Sequence, residues 1–87
     1  MVENQNGMEK DEVKNKVLEI FRSVMGEIPN LSEQTSADEV ARWDSLNHII
    51  LIQELEKAFH LKFDLFAIIE VRDVTGLVES VYTHSKQ

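Results

Sequence analysis

Residues 44–59, which read DSLNHIILIQELEKAF, decide the fold predicted for this 87-residue chain. Asp44 and Ser45 are residue types that cap helix N-termini, and the apolar residues after them recur at helical spacing, so we predict a helix through Phe59. At about 100° per residue, one apolar stripe of this helix consists of Leu51, Ile52, Leu55, Ala58 and Phe59. A second stripe, on nearly the opposite side, consists of Leu46, Ile49 and Ile50.

The two apolar stripes cannot both enter one core, because they lie on opposite sides of the helix. Burial beneath the preceding loop is one interpretation of the stripe formed by Leu46, Ile49 and Ile50. The other is an exposed apolar ridge, which is typical of a protein-binding surface. The residues alone leave both interpretations open.

The residues before this stretch predict an amphipathic helix followed by a long loop. The apolar positions with helical spacing are Val13, Val17, Ile20, Phe21 and Val24. They predict a helix over residues 9–25, with Gly26 as its C-cap and Pro29 beyond it. Residues 27–44 show no sustained period and predict a loop with one helical turn near residues 37–42. Connections of this length tend to be functional.

The apolar run over residues 61–71, LKFDLFAIIEV, is nearly continuous, so its period does not separate a helix from a strand. Asp64 can cap a helix, and no partner strand is evident elsewhere in the chain. We therefore predict a short helix over residues 65–71.

A last helix is predicted over residues 74–84, with Asp73 or Thr75 as its cap. Its apolar positions are Val74, Leu77, Val78, Val81 and Tyr82. The predicted fold is therefore all-α. It is a small four-helix bundle with three longer helices, a short third helix and a long loop between the first two.

Length and composition predict one domain without covalent or metal cross-links, since compact folds take about 50–200 residues. Residues 1–7 have almost no apolar content, so we predict a disordered tail there and the domain over residues 8–85. The chain has no cysteine, which excludes disulfides and thiolate metal sites. No apolar run approaches the ~20 residues that span a bilayer, and the first residues are too polar for a signal peptide. We expect a soluble, cytoplasmic monomer that does not bind membranes.

The net charge of −7 argues against a nucleic-acid partner, which needs a basic face. This charge is concentrated in residues 27–56, where seven acidic residues are opposed by Arg42 alone. The acidic residues are Glu27, Glu33, Asp38, Glu39, Asp44, Glu54 and Glu56. A solvated face is the ordinary interpretation of such a run.

The spacing of the polar side chains disfavours catalysis. His48, His60 and His84 lack the i,i+4 or Glu-x-x-His pairing that converges on a metal ion. Asp44, Ser45 and His48 fall within one helical turn, where the imidazole cannot easily bond both partners of a triad, and the G-x-S-x-G elbow is missing. The three glycines are too far apart for a phosphate loop. We therefore expect a protein that is not an enzyme.

Ser45 lies where free N–H groups and the positive end of the helix dipole favour an anion. A phosphate ester there would be stabilised by roughly 0.3–1 kcal/mol if exposed. A capping role is the commoner one for a serine at this position, and the dipole alone does not decide between the two.

The residues around Ser45 resemble the acyl carrier proteins, in which the serine of an Asp-Ser-Leu motif carries 4′-phosphopantetheine. Asp44-Ser45-Leu46 matches this motif, and the likeness covers residues 9–83 without an evident gap. Further matching positions are Gly26, Leu31, Ile49, Leu51, Leu55, Glu56, Phe59, Phe63, Asp73, Val74 and Val78. The resemblance implies the four-helix fold of that family.

The resemblance also implies a covalent 4′-phosphopantetheine on Ser45, which holds acyl intermediates as thioesters for fatty acid, polyketide or other specialised synthesis. The implied partners are a phosphopantetheinyl transferase and acyl-activating or acyl-transferring enzymes and synthases. Their basic surfaces would be steered by the acidic residues near Ser45. The implied docking residues are Trp43, Asn47, Ile49, Ile50, Gln53, Glu54 and Glu56, with Leu46 in the apolar centre.

Several residues depart from the pattern of housekeeping fatty-acid carriers. Asn47, Ile50 and Lys57 stand where acidic residues are common, and Gln53 stands where methionine is common. Trp43 replaces a small residue two places before the serine. The stretch is similar to carriers that serve specialised biosynthetic clusters.

Two other functions remain open: an aminoacyl or peptidyl carrier on the same scaffold, and an unmodified helical module that binds partners through its exposed stripe. A further set of apolar residues could wall a cavity for an acyl chain or belong to the plain core. These are Phe21, Ile52, Leu55, Phe63 and Ile69.

Overall fold

The computed structural model describes residues 9–85, and within this range the chain is all-α, as predicted. The described residues form four α-helices, α1 (Lys10–Met25), α2 (Ser45–Phe59), α3 (Leu65–Ile68) and α4 (Val74–Ser85), and a 3-10 helix covers Ala37–Glu39. No strand forms within residues 9–85, although an isolated bridge joins Ser36 and Asp73. The predicted tail, residues 1–7, lies outside the described residues.

Helix α1 packs on both other long helices and forms the centre of the core. The Glu9 N–H donates to Glu12 Oε1 over 3.1 Å, which satisfies one of the free donors at the helix start. Gly26 ends the helix at φ 89°, a left-handed conformation that favours glycine. The buried residues of α1 are Val13, Val17, Phe21 and Met25.

Helix α2 begins and ends at the predicted residues. The carboxylate of Asp44 accepts the Asn47 N–H over 2.9 Å, so Asp44 is the cap and Ser45 is the first helical residue. His60 ends the helix in the left-handed conformation, with φ 57°. The predicted inner stripe is confirmed, with Leu51, Ile52 and Leu55 buried and Ala58 and Phe59 partly buried.

Helix α3 is capped by Asp64, as predicted, but the prediction that it extends to residue 71 is wrong. The Phe66 N–H donates to Asp64 Oδ1 over 3.1 Å. After Ile69 the hydrogen bonds change from i−4 to i−3 spacing, with Val71 N donating to the Ile68 carbonyl over 3.1 Å. The chain therefore tightens into a turn, which leaves Val71 partly buried against the core.

Helix α4 is capped by Asp73, whose carboxylate accepts the Gly76 N–H over 2.8 Å. Thr75, the other predicted cap, instead donates its hydroxyl to the Glu33 carbonyl over 2.7 Å. The Val74 N–H also donates to the Thr35 carbonyl over 2.9 Å. The long loop is thus held by hydrogen bonds to the start of α4 rather than free in solvent.

The buried apolar core draws on all four helices and on the long loop. Its members beyond α1 are Val40, Trp43, Leu51, Ile52, Leu55, Phe63, Ile68, Val74, Leu77, Val78 and Val81. Among the helices of residues 9–85, none is long and apolar enough to cross a bilayer.

Replacement of Gly76 by alanine tests the packing of α4 on the turn after α3. A Cβ atom at this position would lie 2.5 Å from Val71 Cγ1 and 2.9 Å from Asp73 Oδ1, the atom that caps the helix. We expect Gly76→Ala to lower the free energy of unfolding by about 1–2 kcal/mol, because overpacking outweighs the gain in helix propensity. Urea unfolding measures this, with Thr83→Ala on the exposed side of α4 as control. Equal stability of the two variants would contradict the packing described.

Candidate functional site at the start of helix α2

Ser45 presents its side chain to solvent at the first residue of α2. Of the two residues predicted as possible caps, Asp44 caps the helix and Ser45 does not. Within residues 9–85 the Ser45 hydroxyl makes no hydrogen bond, while Asn47 Nδ2 donates to the Arg42 carbonyl over 2.7 Å. The backbone on both sides of the serine is therefore held, and its hydroxyl is left available.

Trp43 anchors the chain two residues before Ser45. Its side chain is 2% exposed, and its ring packs edge-on against Phe21 with 5.0 Å between centroids. The indole Nε1–H donates to His48 Nδ1 over 2.8 Å, and Arg72 donates to the Trp43 carbonyl over 3.3 Å. The prediction of Trp43 as a docking residue is wrong, because the large ring lies in the core and not on the surface.

His48 is buried, and both of its ring nitrogens are in hydrogen bonds. Nδ1 accepts from Trp43, so Nε2 carries the hydrogen and donates to the Ile68 carbonyl over 3.1 Å. Burial lowers the pKa of His48; the Ile68 hydrogen bond opposes this, and the positive Arg72 lowers the pKa further. Neither nitrogen is free to take a proton from Ser45.

The apolar stripe at the start of α2 is exposed, which decides between the two interpretations of the sequence. Leu46 is 69% exposed and Ile50 is 38% exposed, while Ile49 is partly buried. Helix α3 adds further exposed apolar side chains, among which Phe66 is 87% exposed. We call Leu46, Ile50, Leu65, Phe66 and Ile69 the apolar surface.

A groove of about 210 Å³ lies between α2 and α3. Its lining residues are Ile49, Ile52, Gln53, Glu56, Lys62, Phe63 and Leu65. Of the residues expected to wall a cavity, Ile52 and Phe63 line this groove, whereas Phe21 and Leu55 belong to the core. Ile69 is 43% exposed, so its expected burial is wrong.

The acidic residues of α2 are partly engaged within the protein. The Glu56 carboxylate accepts the Phe63 N–H over 2.9 Å and so holds the connection to α3. Glu54 lies 3.5 Å from the Lys57 ammonium, and the first turn of the helix has no acidic residue. Gln53 is exposed beside them. The acidic residue next to Ser45 is therefore the cap Asp44, which makes no ion pair with the described residues.

The remaining histidines are separate from this site. His60 is exposed at the end of α2, and His84 packs edge-on against Phe63 with 5.2 Å between ring centroids. Within residues 9–85 no group of histidine, aspartate or glutamate side chains is placed to hold a metal ion.

Sequence reasoning missed two parts of the site. The hydrogen bond from Trp43 to His48 could have been suggested by their separation of five residues across a helix start. The exposure of Leu65, Phe66 and Ile69 could not have been predicted, because a continuous apolar run is equally typical of a buried segment.

Comparisons of the chain with protein-family models, with curated proteins and with solved structures find no match.

The assignment of the cap predicts different effects for two neighbouring substitutions. Asp44→Ala removes the acceptor of the Asn47 N–H and should lower the free energy of unfolding by about 1 kcal/mol. Ser45→Ala should change it by less than about 0.5 kcal/mol, because the serine hydroxyl makes no hydrogen bond to the described residues. Denaturant unfolding of both variants, with Asp44→Asn as a cap-retaining control, checks this. A larger loss in Ser45→Ala than in Asp44→Ala would reverse the assignment.

Proposed function

We propose that this chain is an acyl carrier protein that bears 4′-phosphopantetheine on Ser45 and delivers acyl intermediates to biosynthetic enzymes. The observation that carries the proposal is the exposed Ser45 hydroxyl, left free by the Asp44 cap, in an Asp-Ser-Leu sequence at a helix start. The all-α bundle with its long first loop supports an acyl-carrier-like fold. The chain itself performs no catalysis in this proposal.

The surroundings of Ser45 suit a phosphodiester. The free N–H groups of the first turn of α2 and the positive end of its dipole favour an attached anion, and no acidic side chain follows in that turn. When attached, the group supplies a terminal thiol that holds an acyl chain as a thioester. Trp43 and Asn47 hold the backbone around the serine, so Ser45 presents a fixed attachment point.

The apolar surface supports docking of partner enzymes on α2 and α3. Leu46 follows the serine and Ile50 lies one turn farther along the same face of α2, and Phe66 is exposed on α3. Asp44 and Glu54 add negative charge that favours a basic rim on the partner. Because few acids remain unpaired here, apolar contacts contribute more to this docking than charge does.

The groove between α2 and α3 offers a place for an apolar cargo. Its walls include Ile52, Phe63 and Leu65, and its volume of about 210 Å³ favours a short chain over a long one. Glu56 and Lys62 at the same groove would contact the polar part of a cargo.

Intact-mass analysis tests the modification directly. Incubation with coenzyme A and a broad-specificity phosphopantetheinyl transferase should add the mass of one phosphopantetheine. Ser45→Ala should stay unmodified, and Ser23→Ala, an exposed serine of α1, should be modified like the original chain. An unchanged mass with a transferase that modifies another carrier, or labelling of Ser45→Ala, would refute the proposal.

An unmodified helical interaction module is the second candidate, favoured by the 87% exposure of Phe66. This function needs the apolar surface but no serine. Partner binding that survives Ser45→Ala and is lost in Phe66→Ala, in a chain that no transferase modifies, would favour the module. An aminoacyl or peptidyl carrier shares the modified serine and would differ in the cargo found on the isolated protein.

Docking on α2 makes a separate prediction for the rate of modification. Ile50→Glu should lower the kcat/KM of the transferase by about tenfold or more, because it replaces an exposed apolar side chain of the apolar surface by a charge. Glu54→Lys should lower it less and reduce its dependence on salt. Glu19→Lys makes the same charge change on the exposed side of α1 and should leave the rate unaltered. Unchanged rates in Ile50→Glu and Glu54→Lys would show that the partner docks elsewhere.

A further inference from the structure

His48 is the one described histidine that is fully buried with both ring nitrogens bonded across different parts of the fold. Trp43 belongs to the loop before α2, His48 to α2 itself, and Ile68 to the end of α3. The hydrogen bonds from Trp43 Nε1 to His48 Nδ1 and from His48 Nε2 to the Ile68 carbonyl therefore join three segments. We call this chain of two hydrogen bonds the latch.

We propose that the latch is proton-sensitive: a proton added to Nδ1 of His48 breaks its hydrogen bond with Trp43 and releases the loop before Ser45 from the core. The proton comes from solvent and forms a new N–H bond at Nδ1. The only interaction lost in this step is the hydrogen bond that Nδ1 accepts from the Trp43 indole. The imidazolium then has two donors, of which Nε2–H keeps the Ile68 carbonyl.

The geometry makes the protonated form unfavourable in the closed latch. Two N–H groups would face each other where donor and acceptor now lie 2.8 Å apart, and the charge would be buried beside the Trp43 ring. The facing groups are the Trp43 indole from the loop, the Ile68 carbonyl from α3 and the Arg72 guanidinium after α3. Phe21, which packs on Trp43 from α1, is uncharged. Among the described residues no carboxylate acts on the imidazole to compensate.

The direction of the pH effect follows from this environment. Burial lowers the pKa of His48 in the folded chain below its ordinary value of 6.5, so the unfolded or released form binds the proton more tightly. The latch contributes fully to the free energy of unfolding above pH 6.5. This contribution is lost as the pH falls through the lower pKa that His48 has in the folded chain. Acidification therefore opens the latch, and a return to neutral pH closes it.

Opening would change the candidate site, since Trp43 lies two residues before Ser45 and His48 one turn after it. Ile68 ends α3, and Ile49 and Leu65 from α2 and α3 line the groove between them. Release of Trp43 would loosen the attachment point at Ser45, whereas the retained hydrogen bond from His48 Nε2–H to the Ile68 carbonyl keeps α3 tied to α2 beside this groove. The latch itself does not depend on the proposed carrier function, because its opening is measured on the unmodified chain.

Trp43 is the only tryptophan, so tryptophan fluorescence reports the surroundings of this one indole. We expect its emission to shift to longer wavelength as the pH is lowered from about 8 to about 4, with a midpoint below 6.5 and with helical circular dichroism retained. Nitrogen chemical shifts of His48 should show the Nε2–H form at neutral pH and protonation over the same range as the emission change. His48→Gln, whose amide can accept from the indole and donate to the carbonyl without titrating, should lose the transition. His60→Gln should keep it.

Three outcomes would overturn the proposal. One is an emission shift that appears only when the helices unfold, which would show that the shift reports unfolding of the whole domain and not opening of the latch. Another is an Nδ1–H form of His48 at neutral pH, and the third is a transition that persists in His48→Gln. If His48→Gln fails to fold, the emission and the nitrogen shifts of the original chain decide between these outcomes.

Discussion

The hydrogen bond from the Trp43 indole to His48 is the interaction on which the geometry of the candidate site depends. It buries the polar edges of two large rings together, so neither is left unsatisfied in the core. It also ties the end of a long irregular loop to the first turns of α2. The same imidazole then reaches the Ile68 carbonyl, so the short helix α3 is positioned by a polar contact as well as by packing.

The long loop is ordered by hydrogen bonds to distant parts of the chain. Its middle is held at the start of α4 by the backbone of Val74 and by both the N–H and the hydroxyl of Thr75. Its end is held by Trp43 in the core. A loop fixed at two places holds the backbone that leads into Ser45. Leu46 and Ile50, on the helix that follows the loop, remain exposed.

The helices and their boundaries were largely predictable, because caps and apolar periods are local properties. Asp44, Asp64 and Asp73 cap their helices through contacts within three residues. The end of α3 was not predictable, since the change to a turn near Val71 serves contacts with the core. Which of Asp44 and Ser45 caps α2 was not predictable, because both residue types are good caps and only one can occupy the position.

The sequence by itself determined the all-α class, the face of α2 that enters the core and the serine at its start. The reason is that the spacing of residues along a helix sets the direction in which each side chain points. Only the tertiary structure decided that Trp43 is buried, that Leu46 and Ile50 are exposed, and that His48 joins two helices. These features depend on which surfaces the loop and α3 cover. That coverage is set by contacts between residues far apart in the chain, such as Glu33 with Thr75, which no local pattern records.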